Sequence, residues 1–154
     1  MKKFISIIVL ISIFIYSCDF ISIMDGGTHG SLASYTYEVS KDSLEAVVNY
    51  IIENDNKITK LKTDGGEGTY VKISIIQKGF IQYFVFRYAG DSKYWNSHPN
   101  ISHISVTATK KGENEYQTEG EISSKDKRRA IQIFNNDFID KIKNVKGLVP
   151  VPPN

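Results

Sequence analysis

Few residues in this chain are placed to do chemistry, and most of them fall in one segment. Gly90-Asp91-Ser92-Lys93-Tyr94-Trp95-Asn96-Ser97-His98-Pro99-Asn100 holds the only Trp together with a Tyr, an Asp and a His. Aromatic rings beside amides in a loop between strands suit recognition of a peptide, a glycan or another protein. Asp91, Tyr94, Trp95, Asn96 and His98 are therefore the candidate binding loop. The competing reading is that Tyr94 and Trp95 fold back to cover the sheet edge, as large loop aromatics often do. An enzyme would need His98, His103 and Asp91 to converge in one pocket, and nothing in their spacing requires it. His98 and His103 follow no zinc-ligand spacing. The serines lack a nucleophile elbow. Asp64-Gly65-Gly66-Glu67-Gly68 lacks the Gly-x-x-x-x-Gly-Lys of a phosphate loop and reads as a hairpin turn. No twelve-residue calcium loop is present. No catalytic residue, metal or cofactor is expected. Lys125, Lys127, Arg128 and Arg129 form a cationic cluster that either meets an acidic partner or lipid headgroups, or is a solvated helix end.

Cys18 is the only cysteine. Lys2 and Lys3 precede an almost unbroken apolar run from Phe4 to Tyr16, which Cys18-Asp19 ends. The run falls short of the ~20 residues of a comfortable transmembrane helix, and no cationic stop-transfer cluster follows. A cleaved secretory signal fits better than a permanent span. Ile15-Tyr16-Ser17-Cys18 resembles the lipobox of a bacterial lipoprotein. The resemblance implies that Cys18 is diacylated on its thiol and becomes the new N-terminus. It also implies a cell membrane or outer membrane location, lipid-anchored on the exported side.

Removing 17 residues from 154 leaves 137, one ordinary domain. The whole chain has 19 Lys and Arg against 17 Asp and Glu; losing Lys2 and Lys3 makes it 17 against 17. A neutral mature chain argues against nucleic acid as a partner. It argues equally against anionic lipid as the main attachment. With no second cysteine there is no disulfide framework. The partners this leaves are the membrane, through the anchor, and an unidentified protein.

The elements that must position the loop follow from periodicity. Residues 18–34, rich in Gly, Ser and Asp, read as a tether. The folded domain is expected over 35–146, opening with an extended Tyr35-Thr36-Tyr37-Glu38-Val39. Ser40 is an N-cap for a helix whose apolar stripe is Leu44, Val47, Val48, Ile51 and Ile52. Ile58 and Leu61 suggest a short strand. Val71, Ile73 and Ile75 alternate with Lys72 and Ser74. Phe80 to Tyr88 is apolar on both faces and therefore central. Ile104, Val106 and Ala108 alternate inward with His103, Ser105 and Thr107 outward, and Glu115 to Ile122 alternates again as another strand. Ser123 or Ser124 caps a last helix buried through Ala130, Ile131, Phe134, Phe138 and Ile142. Residues 147–154 form an extended, Pro-rich tail. Short turns force antiparallel neighbours. The fold expected is α+β: a two-layer sandwich with an antiparallel sheet of four to five strands and both helices on one face. The function expected is a non-catalytic, lipid-anchored binding domain of the cell envelope, one version being an immunity-type lipoprotein. The alternative is a small envelope hydrolase or metal-dependent enzyme using the 91–103 region.

Overall fold

Ser40 starts the first helix as its side chain predicts: its Oγ accepts the Ser43 N–H at 3.2 Å. Helix α1 (Lys41–Asn54) then buries the five apolar residues of its stripe, and Asp42 sits in the first turn where the helix dipole favours an anion. The computed structural model describes residues 30–62 and 70–151. The signal-like run, Cys18, the tether as far as His29 and the turn Asp64–Gly68 lie outside the described residues.

Five strands form one antiparallel sheet: β1 (Ala33–Tyr37), β2 (Ile58–Leu61), β3 (Tyr70–Gln77), β4 (Phe80–Tyr88) and β5 (Ser102–Lys111). Their order is β1-β5-β4-β3-β2, so the doubly apolar β4 is the middle strand. Register pairs Ile73 with Phe84, Val71 and Val106 with Phe86, and Tyr35 with Ile104. These side chains share one face. The last helix lies across it: the Phe134 ring is 5.0 Å from Phe84 and 5.9 Å from Phe86, and Phe138 is 5.5 Å from Phe86. The α1 stripe belongs to the same core cluster. Both helices therefore cover one face, and Lys72, Ser74, His103 and Ser105 point to the other.

Four expectations need correction. First, Ala108 is not in the inward row. A bulge between Val85 and Phe86 sets Ala108 opposite Val85 and Val106 opposite Phe86. The extra residue flips the alternation, so Thr109 turns inward. There Thr109 Oγ1 donates to the Tyr83 carbonyl at 2.8 Å and accepts from Gln82 Nε2 at 2.6 Å. Second, Glu115 to Ile122 is not a strand. Among the described residues its backbone pairs with the sheet only at the Thr109–Gln117 bridge. Beyond it, Glu121 Oε2 accepts from both the Thr118 N–H and hydroxyl at 2.8 Å and closes a turn. Third, the domain starts before Tyr35: Leu32 is 4% exposed and β1 begins at Ala33. Fourth, the C-terminal helix is interrupted. Ser123 caps α3 (Ser124–Phe134), a π-turn covers Asn135–Ile139, and α4 (Asp140–Lys146) follows. The apolar stripe itself demands this. Ala130, Phe134, Phe138 and Ile142 recur every fourth residue, and each such step overshoots a regular helix by about 40°. The wider π-turn absorbs the accumulated drift and keeps all four buried. The tail then returns to the sheet edge, where the Val151 N–H donates to the Thr36 carbonyl at 2.7 Å.

Candidate functional site

The loop after β4 is held by its own sequence. Asp91 caps a short helix, α2 (Ser92–Ser97), by accepting the Tyr94 N–H on Oδ1 at 2.7 Å. That turn swings Tyr94 over β5, where its hydroxyl meets His103 Nε2 at 2.8 Å. On the opposite side of the imidazole, Nδ1 meets the Thr36 hydroxyl at 2.9 Å. A neutral imidazole offers one donor and one acceptor, and either hydroxyl can take either role. Burial, and behind it the neighbouring His98, hold His103 below the ordinary histidine range. His98 itself is exposed and stacks on Tyr94 with ring centroids 4.5 Å apart.

Trp95 goes the other way. Its ring packs against the core, and the Lys41 ammonium lies 5.2 Å from its centroid and 5.6 Å from that of Tyr88. Gly90 makes this possible. It has φ +127, and a Cβ there would stand 2.7 Å from Trp95 Nε1 and 2.9 Å from Tyr94 Cδ1. Only glycine fits that backbone and that space. So the structure joins Tyr94, His98 and His103 with Thr36, assigns the Asp91 carboxylate to the helix cap and sends Trp95 to the core. Asn96 stays at the surface. Packing accounts for Trp95 and, through His103, for much of Tyr94. Among the described residues, no group of three or more His, Cys, Asp or Glu could hold a metal.

A second feature is a groove of about 770 Å³ between α1 and the C-terminal segment, lined by Val39, Ser43, Ala46, Val47, Tyr50, Val145 and Leu148. Tyr50 is 52% exposed and Val145 40%. Reading α1 for its core stripe alone misses this groove. The signal was present: Ser43, Ala46, Val47 and Tyr50 follow helical spacing as a second, less apolar stripe beside the first. No known protein family, curated protein or solved structure matches this chain.

Proposed function

We propose that this chain is a non-catalytic binding module of the bacterial cell envelope, anchored through acylated Cys18, and that its partner is a protein. The observation that carries the reading is the apolar groove beside α1. It presents Tyr50 and Val145 to solvent, and a concave apolar surface of this kind accepts an amphipathic segment from a partner. The loop at Asp91, Tyr94, Trp95, Asn96 and His98 contributes its exposed members, Asn96 and His98, as a second contact. An immunity-type lipoprotein that captures an incoming toxin is one version of this module.

The test is affinity capture from envelope extract with the anchored chain, comparing wild type with Tyr50→Glu, Val145→Glu and His98→Ala. The expected result is a partner weakened by His98→Ala and lost by both groove variants, all with native melting temperatures. A partner indifferent to Tyr50 and Val145 would remove the groove from the reading. A second reading, a hydrolase, draws on the hydrogen bond between Thr36 and His103. It requires turnover of an ester or peptide that Thr36→Val abolishes.

A further inference from the structure

The sheet face away from the helices is not uniformly polar. Where β3 turns into β4, Ile76 and Ile81 stand directly opposite each other, 49% and 38% exposed. Isolated exposed aliphatics are ordinary, but a pair at the rim of a sheet with a particular border is informative. In the next row Tyr83 pairs with Lys110, whose ammonium lies 4.7 Å from the Tyr83 ring and 5.1 Å from that of Tyr116. On the helix-covered side of the same end, the Phe80 ring is flanked by the Lys111 ammonium at 4.7 Å and the Arg129 guanidinium at 5.1 Å. Lys78 is exposed in the turn itself, and Lys57, also exposed, accepts the Ile76 N–H on its carbonyl at 2.9 Å. The aliphatic pair is thus bordered by tyrosines and by Lys57, Lys78 and Lys110, while Lys111 and Arg129 add positive charge at the same end of the sheet from its helix-covered side. Carboxylates lie at this end too: Asp55 accepts the Lys57 N–H at 2.9 Å and pairs with Lys141, Glu113 and Glu115 are exposed after Lys111, and Asp137 on the helix side accepts from Gln77 Nε2 at 3.0 Å.

We infer that this end of the sheet rests on a bilayer surface containing anionic phospholipid. Aliphatic side chains gain by leaving water for the acyl boundary, and tyrosines favour the headgroup level. Lysine and arginine stems extend over apolar surface while their charges reach lipid phosphates. A soluble polyanion would use the cations and leave Ile76 and Ile81 in water.

The path of the chain supplies an independent argument. β1 runs antiparallel to β5, with Ala33 opposite Val106 and the Leu32 N–H on the Val106 carbonyl at 2.8 Å. The chain therefore approaches β1 from the end where β5 finishes and β3 turns into β4. Gly30 lies against Glu119, which binds Lys127 near the start of α3. Cys18 precedes Gly30 by 12 residues, a reach of up to ~40 Å when extended. An anchor at Cys18 delivers this end to the bilayer. Val39, at one edge of the groove, lies past the far end of β1, and the groove runs from there along α1 on the helix side of the sheet. The orientation rests on the anchoring reading; the chemistry of the face does not.

The experiment uses the full chain acylated at Cys18, on vesicles of phosphatidylcholine with or without phosphatidylglycerol. Ile81→Cys then carries the single free thiol, labelled with a polarity-sensitive fluorophore; Asn96→Cys is the control at the opposite end. Flotation scores the anchor and quenching by acyl-chain bromines scores the face. The expected result is a blue-shifted, quenched probe at position 81 and a water-like probe at 96, with anionic lipid strengthening the effect. Lys78→Glu with Lys110→Glu should lower the quenching several-fold without altering flotation. A chain that floats with an unquenched probe at 81 overturns the inference and leaves the anchor standing. Where the chain does not float for lack of acylation, the Cys18→Ser form is mixed with excess anionic vesicles. An unquenched probe there overturns the inference too.

Discussion

His103 shows how one side chain ties a loop to a sheet and makes the tie depend on pH. Held below the ordinary histidine range by burial, it takes a proton less readily in the folded chain than in the unfolded one, where histidine titrates at about pH 6.5. The unfolded state then binds more protons in the window below that pH. The stability His103 contributes is complete above it and falls as the pH drops through it. Thermal melts from about pH 8 to about pH 5 should show this decline, flattened in His103→Gln; parallel curves would mean that the imidazole carries no linkage. Trp95 makes the packing argument quantitative. Because its ring is half-buried against the core, Trp95→Ala should cost about 1–3 kcal/mol, below the range for a fully buried aromatic. An unchanged melting temperature would return Trp95 to the binding loop. Phe134 has no exposure and touches Tyr35, Phe84, Phe86 and Phe138. Phe134→Ala should cost about 3–5 kcal/mol by chemical denaturation.

The π-turn is an element-scale device with an element-scale test. It accommodates one residue more than a regular helix would between Phe134 and Ile142. Deleting the exposed Asn136 should let the helix close regularly, with the apolar steps becoming four, three and four. That is a good α-helical stripe, so the deletion should cost no more than about 2 kcal/mol, an ordinary point-mutation effect. The loss includes the hydrogen bond that Asn135 accepts from the Tyr35 hydroxyl. Inserting Ala after Asn136 instead rotates Phe138 and Ile142 by about a further 100° and should abolish cooperative unfolding. Equal damage from both changes would show that the turn is not a phase correction. The same element shows what was legible in the sequence. Helix α1, the centrality of β4 and the inward row of β3 were readable because apolar periodicity is local. The bulge at Val85 was not, because it depends on where β4 and β5 fall into register. Glu115 to Ile122 alternates as a strand would, but the Thr118–Glu121 turn takes its backbone. The candidate loop was readable as a cluster of unusual residues; its split between core and surface depended on the φ of Gly90. The groove escaped because it is built by two helices distant in sequence.

At the scale of the whole molecule, a single core cluster joins Leu32 to Ile142, and that continuity fixes where the folded unit must begin. A boundary at Tyr35 removes Leu32, which is 4% exposed, and two of the five β1–β5 pairs, Ala33 with Val106 and Ser34 with Ser105. Losing the leucine alone costs about 2 kcal/mol of apolar burial. It also bares part of the β5 edge, which otherwise has β1 along it. A chain starting at Gly30 keeps all of this and should melt with the acylation-free longer chain. A chain starting at Tyr35 should melt about 10 °C lower and associate at high concentration through the bared edge. Equal melting temperatures for the two starts would place Leu32 outside the core and return the boundary to Tyr35. The position of Leu32 also decides how short the connection to Cys18 is. Every residue that joins the domain shortens the stretch of chain between Cys18 and the sheet, which brings the basic, aliphatic end of the sheet closer to any surface that would hold an acyl group on Cys18.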